Sequence, residues 1–569
     1  MKNIRFSLLV AVVVLSNVVS AQTLEQGKKF LYYQRYVSAK ETLQKVVAAN
    51  PNNIEAIYWL GQTLLKMKDS AAATDVYQKA LTSNGTAPLL LAGIGEIELR
   101  EGKNADARAR FDQAILLTKG KDVSILNAVA LANVDAAGGD PVYALEKLNQ
   151  ATQVKNFKSP ETYIIMGDAY RKQIDGGGAV TSYQKALTVD PQYAEAKFKI
   201  GMVYLTQNNK DYFLPAFADA LQLDPNYAPA YYQLYFYWYS RDINKAKDYF
   251  EKYVAVADNT PSNEYDRASI KFASHDNDGA IAMSNATLAK LGADAPPKYY
   301  RLISHAYLMK GDSVNAKNYI DQYFAKQKPE DFEADDYSYR ARVVAKVPGT
   351  DSTEAFKDFQ LAVDKDTSIE NKSKVLKEAS ELAKNTHNKA YSAQFAGELY
   401  ALNKNPVNTD LYNWGMANYQ AGNFKTADSI FCGLYIPKYP TEIYGYLWCA
   451  RSKRALDDSI NTAGLAIDAY AKLGAVARAM DSTAKATGSA DSTKYRPQAR
   501  EAFFILASYY NDIKKDKQTA IYYLEQVLVV DPTNTTASKY IEILKKPAKQ
   551  PAAPIKKPGA TGGAKPAGQ

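Results

Sequence analysis

Glycine recurs in this chain on a fixed beat. Gly27, Gly61 and Gly95 stand 34 residues apart. Three other columns keep step with them: Ala39, Ala73 and Ala107; Leu43, Tyr77 and Phe111; Val46, Ala80 and Ala114. A period of this length marks stacked copies of one small helical unit, because a single copy cannot bury its apolar face alone. It rules out a fold wrapped around one central core. It also moves the expected function from catalysis towards binding, since such stacks present long surfaces to partners.

The chemistry of each column fits that reading. Within a unit, the Gly and the residue three positions on (Phe30, Leu64) share one face of a first helix. The Ala begins a second helix, whose buried face also carries the bulky residue four later and the small one after that. Small residues let two helix backbones approach, and large residues beside them fill the groove. Pro51 closes a unit because Pro cannot continue the helix behind it.

The pattern resembles the tetratricopeptide repeat, a 34-residue helix–turn–helix. The best copy spans 163–191, with Tyr163, Met166, Gly167, Tyr170, Ala179, Tyr183, Ala186 and Pro191 in the family's order of large, small and aromatic residues. Gly201, Tyr204, Phe217, Ala220 and Pro225 each follow 34 residues later. Phe213 stands where the family has a small residue, which predicts a local shift in helix packing. A unit around Leu131, Ala132, Ala144, Leu148 and Ala151 is stretched to a 37-residue step.

Past residue 258 the match weakens. Tyr307, Ala316, Ile320 and Tyr323 mark one degenerate unit, and Ala355, Phe359 and Ala362 another. Gly415, Ala427 and Phe431 mark a third, and Ala520, Leu524, Val527 and Pro532 a last one. The expected organisation is a regular array over 22–258 with six or seven units, then degenerate helical repeats over 259–544 with five to seven. The resemblance implies an all-α, right-handed α-solenoid without a cofactor, whose first helices line a concave groove for a peptide or a partner helix. The family's dicarboxylate clamp is not expected, because the corresponding first-helix positions carry Leu24, Tyr58, Ile164 and Phe198.

The two ends differ from the body. Residues 1–21 read as a secretory signal: Lys2 and Arg5, then an apolar run from Phe6 to Val19, then Ser20 and Ala21. Cleavage is expected after Ala21; the alternative is a short retained anchor. The run is short for a membrane span, and no later run approaches that length. Residues 545–569 form a tail rich in Lys, Pro, Ala and Gly, expected to be unfolded. The net charge is +9; two of those charges sit in the signal-like start and six in the tail, leaving the body at +1. A near-neutral body argues against nucleic acid as partner, which needs a basic stripe against the phosphates. The tail reads as a solubilising end, or as a weak tether to an anionic envelope surface.

Catalytic signatures are missing from the sequence. His275, His305 and His387 have no ligand-spaced partners, so no metal is expected. The Gly176–Gly178 cluster has no Gly-Lys-Ser/Thr after it and reads as a loosened turn needing positive φ. Cys432 and Cys449 fall on consecutive helices; after export they either pair or remain two buried thiols. The candidate partner-binding residues are Tyr231, Tyr232, Tyr235, Trp238 and Tyr239, in an aromatic segment whose alternative role is core filler.

The leading expectation is a non-enzymatic, exported scaffold in the periplasm (alternatively secreted, or peripheral at the outer membrane), holding protein partners of an envelope assembly. A cell-wall or polysaccharide-binding module is one alternative. An enzyme with an unrecognised domain in 259–500 is the other.

Overall fold

Four columns on one beat resolve into pairs of antiparallel helices. The computed structural model describes residues 23–546 apart from 84, 459 and 489–492. The signal-like start and the tail from 547 onward lie outside the described residues. Among the described residues there is no strand. A regular hairpin is Ile54–Lys66 followed by Ser70–Ser83; the next is Pro88–Arg100 followed by Asn104–Leu117.

The glycine column and the bulky column are two halves of one contact. A Cβ placed on Gly61 would lie 2.1 Å from the Tyr77 ring, one on Gly95 2.4 Å from Phe111, and one on Gly167 2.2 Å from Tyr183. Gly27 meets Leu43 and Gly201 meets Phe217 in the same way. The first helix is hollowed at one residue so that a large side chain from the second can lie against its backbone. Ala39, Ala73, Ala107, Ala186 and Ala220 are wholly buried at the same crossings.

Five hairpins of the first unit turn in one way. The chain leaves the first helix through a residue in the left-handed region: Gln34, Lys68, Gly102, Ile174 or Asn208. The amide two residues past the last helical residue's cap then reaches back, as Asp69 N does to Leu64 O (2.9 Å) and Asp175 N to Tyr170 O (2.9 Å). This corrects the reading of the glycine triplet. Gly176–Gly178 open the helix Gly176–Val189, capped by Asp175, whose carboxylate accepts from Gly178 N at 2.8 Å. The positive φ falls on Ile174, because the turn requires it just past the preceding helix, two residues upstream of the glycines.

The second helices end at Asn50-Pro51, Asp190-Pro191 and Asp224-Pro225. The residue before each Pro is extended, with φ of −143°, −134° and −139°. The stretched unit takes its extra length in connections: residues 136–140 separate Val123–Asp135 from Pro141–Thr152. Phe213 is fully buried in a helix that also contains Pro215, and its ring meets Tyr237 of the next hairpin at 5.1 Å.

By contacts the chain divides into two compact units, Met1–Gly311 and Asp312–Gln569. Regularity fades earlier, at 258, but hairpins continue: Pro261–Ala273 with Asn277–Leu291, then Lys298–Met309, complete the first unit. The second holds Ala334–Val344 with Thr353–Lys365, Ile369–Asn385 with Lys389–Leu402, and Ile443–Leu456 with Ile467–Ala486. Arg496–Asp512 with Lys517–Val530 follow, and Thr535–Lys545 closes it. Between them, Asn408–Gln420 pairs with a broken helix whose middle, Ser429–Tyr435, is a π-helical turn. Cys432 on that turn is disulfide-bonded to Cys449, with Cα atoms 5.0 Å apart.

Candidate binding surfaces

In the first unit, the inner face is consumed by the protein itself. Its first helices carry charge there, and the charges pair between hairpins: Lys28 with Glu55 (3.0 Å), Lys66 with Asp135 (2.6 Å), Lys199 with Asp168 (2.6 Å). Burial pulls the Lys66 ammonium down, but Asp135 outweighs it and leaves the group above its ordinary pKa. Lys172 caps the end of the helix Val123–Asp135 by donating to the carbonyls of Asn133, Val134 and Ala136.

The first hairpin then reaches around to the sixth and seventh. Tyr33 Oη donates to Asp224 (2.8 Å), and Tyr32 Oη accepts from Glu195 N (3.1 Å). Tyr32 also lies 5.2 Å from Tyr227 and 5.7 Å from Tyr193, ring to ring. Asp258 receives Val37 N, Ser38 N, Ser38 Oγ and Arg35 Nε. Between these elements remains a cavity of about 600 Å³ lined in part by Tyr33, Tyr36, Phe198, Met202, Tyr232 and Tyr253. The N-terminal hairpin therefore fills much of the inner curve of this unit, which keeps this cavity and one of about 670 Å³ beside Asp135, Asp168 and Lys199.

The aromatic segment is distributed over several environments. Tyr235 is 4 % exposed and packs its ring 5.0 Å from Phe250, in a cluster with Ala246 and Ile270. Tyr232, Trp238 and Tyr239 pack partly against that cluster, and Tyr231 is half-buried. Tyr235 is thus core, a correction to its reading as a partner contact: the face it shares with Trp238 is covered by the following helix, Ile243–Val256. Tyr232 does reach the inner cavity. The exposed member of the run is Phe236, at 68 %. Leu24, Tyr58, Ile164 and Phe198, at the family's clamp positions, are all buried.

The second unit holds a larger opening. A cleft of about 1480 Å³ runs between the first helices Ile369–Asn385 and Asn408–Gln420, over the helix Lys389–Leu402. Leu399 and Tyr400 line its floor and Tyr412 and Met416 the side formed by Asn408–Gln420, all half-buried. Trp448 steadies Tyr412 by donating Nε1–H to its hydroxyl (3.1 Å), and Trp414 stacks on Tyr400 at 5.1 Å. One wall carries Lys374, Lys377 and Lys384, and Lys404 stands at the far end. The sequence reading missed this site, because lysines at helical spacing look like an ordinary solvated face.

A stack of antiparallel helix hairpins with an apolar-floored cleft defines a helical-repeat scaffold. Residues 167–208 match a family model described as TPR repeat, and residues 42–75 one described as tetratricopeptide repeat. Those two stretches are thus tetratricopeptide repeats, set in an all-α array of helix hairpins. The chain resembles the C-terminal part of a TPR repeat-containing protein from Cytophaga hutchinsonii at 25 % identity, over 48 % of this chain and 98 % of that one, with a TM-score of 0.26. Yeast Tom70 is 13 % identical over 72 % of this chain and 97 % of its own, TM-score 0.33. PilW, described as a widely conserved type IV pilus biogenesis factor, is 18 % identical over 36 % and 91 %, TM-score 0.31. No curated protein matches the chain. Among the described residues, no helix is long and apolar enough to cross a membrane.

Proposed function

We propose that this protein is an exported scaffold that holds protein partners of a cell-envelope assembly, and that it grips them in the cleft of its second unit. The observation that carries the reading is the contrast between the two inner faces. The first is crossed by Tyr33, Asp224 and Asp258 and keeps openings of about 600 and 670 Å³, whereas the second leaves about 1480 Å³ above Tyr400, Tyr412 and Met416. A concave, partly apolar surface with steadied aromatic side chains is what a protein anchor needs. Export is supported by the basic, apolar and small-residue order of residues 1–21.

The test is photo-cross-linking in the native host. A photoreactive residue at Met416, Tyr400 or Asn413 should capture a discrete protein, and one at Phe236 should not. Capture only from the first unit would overturn the reading, as would recovery of the protein from the cytoplasmic fraction with residues 1–21 still attached.

A further inference from the structure

We propose that the cleft of the second unit takes an extended, acidic stretch of the partner polypeptide, held by side-chain carboxylates and not by a chain end. This deepens the groove reading above and rests on it. Lys374, Lys377 and Lys384 project from one helix into the cleft, joined by Lys404 from the loop after Lys389–Leu402. Among the described residues none of the four has a carboxylate within ion-pair distance. The acids of the cleft are mostly engaged elsewhere. Glu378 accepts from Arg342 Nε at 2.8 Å, and Asp410 accepts from Val407 N and Asn403 Nδ2, each at 3.0 Å. Glu370 is left as the one lining carboxylate without such a bond among the described residues. Four free cations facing one free carboxylate make the cleft a receptor for negative charge.

The spacing selects an extended strand. Helical residues rise about 1.5 Å each, so Lys377 stands about 4.5 Å and Lys384 about 15 Å along the axis from Lys374. A strand advances about 3.3 Å per residue with side chains alternating, so acids at positions j, j+2 and j+4 fall about 7 and 13 Å apart on one side. A lysine stem covers the difference. Residues j+1 and j+3 then face the opposite wall, where Tyr412 and Met416 offer apolar surface. The favoured ligand therefore alternates acidic and apolar residues.

The probe is a labelled peptide, acetyl-Ser-Glu-Leu-Glu-Leu-Glu-Ser-amide, titrated against the full chain by fluorescence anisotropy, beside its Gln-for-Glu counterpart. The acidic peptide should bind at least about tenfold more tightly than the Gln peptide, and the preference should shrink as salt shortens the screening length. Combined Lys374→Gln, Lys377→Gln and Lys384→Gln should abolish that preference while circular dichroism stays unchanged. Equal binding of both peptides, indifference to the triple substitution, or a need for a free C-terminal carboxylate would each overturn the proposal. So would retention of an anionic polysaccharide with no binding of the acidic peptide. A host partner cross-linked at Met416 but unaffected by the triple substitution would leave the groove reading standing and remove this one.

Discussion

Asp258 offers the sharpest test of how the first unit closes. Its side chain is 10 % exposed, and it draws in the start of the helix Tyr36–Ala49 from more than two hundred residues away. Asp258→Ala removes three kinds of bond. The amides of Val37 and Ser38 lose what is in effect an N-cap supplied by another hairpin, about 1 kcal/mol. The Ser38 hydroxyl loses a charged acceptor, about 1.5 kcal/mol. Arg35, itself 30 % exposed, loses a partly screened ion pair, about 0.5 kcal/mol. The sum is about 3 kcal/mol, or roughly a hundredfold in the opening of the clasp. The rest of the hairpin's packing, Leu24, Leu43 and Val46 in the core shared with the second hairpin, is untouched. Hydrogen–deuterium exchange read by mass spectrometry should therefore speed up in peptides from 23–49 and stay constant in peptides from 88–135. Unchanged exchange in 23–49 would refute the clasp. A uniform rise across the unit would show that Asp258 supports the whole fold and not a local closure.

Four further outcomes are expected. Gly167→Leu should cost a few kcal/mol, because its Cβ already falls on the Tyr183 ring; thermal melting reads the loss. Tyr235→Ala should cost about 3 kcal/mol or more through the void left beside Phe250, and a melting temperature unchanged from the parent would return Tyr235 to the surface. Ile174→Gly should stabilise by about 1 kcal/mol, since a β-branched residue at φ +64° and 93 % exposed is strained without packing in return; denaturant midpoints decide it. Burial lifts the Asp266 carboxyl to about 6, against the pull of Lys298 and Tyr235, whereas an unfolded carboxyl titrates near ~3.9. The folded state thus takes up a proton that the unfolded state does not, so the contribution of Asp266 to stability rises as pH falls from 7 to 5. In Asp266→Asn that slope should flatten, as melting temperatures across the same range will show.

The hairpins were legible in the sequence because their packing is local. Gly61 and Tyr77 lie sixteen residues apart and touch, so selection at one is written at the other and repeats down the chain. The same logic survives in the second unit, where a Cβ on Gly415 would meet Phe431 at 2.6 Å. Phase was lost there because connections lengthen, as at residues 345–352 and 457–466, and because a π-helical turn interrupts one second helix. In the aromatic run, Tyr235 shares one face with Tyr232 and Tyr239. What periodicity could not supply was the element that covers that face. Closure of the first unit was illegible for a related reason. Tyr33 meets Asp224 only after the small rotations of several hairpins accumulate, and no column records a sum. The cleft escaped notice because it lies between the first helices of neighbouring hairpins, one of which, Ile369–Asn385, runs to 17 residues against 13 in Ile54–Lys66.

The bridge between Cys432 and Cys449 bears on how the second unit would respond to being pulled. Hairpins in a row give way one after another, each leaning only on those beside it. Here two neighbours are riveted together, so a tear that starts at Thr535–Lys545 and runs inward must lift both at once when it arrives. The loop spanning the sequence separation of 17 between the two cysteines also stays out of the stretched contour, which shortens it by roughly 55 Å at about 3.5 Å per residue. Under tension the oxidised chain would behave as a tether with a stop built into it, and a reductant would let the slack run out.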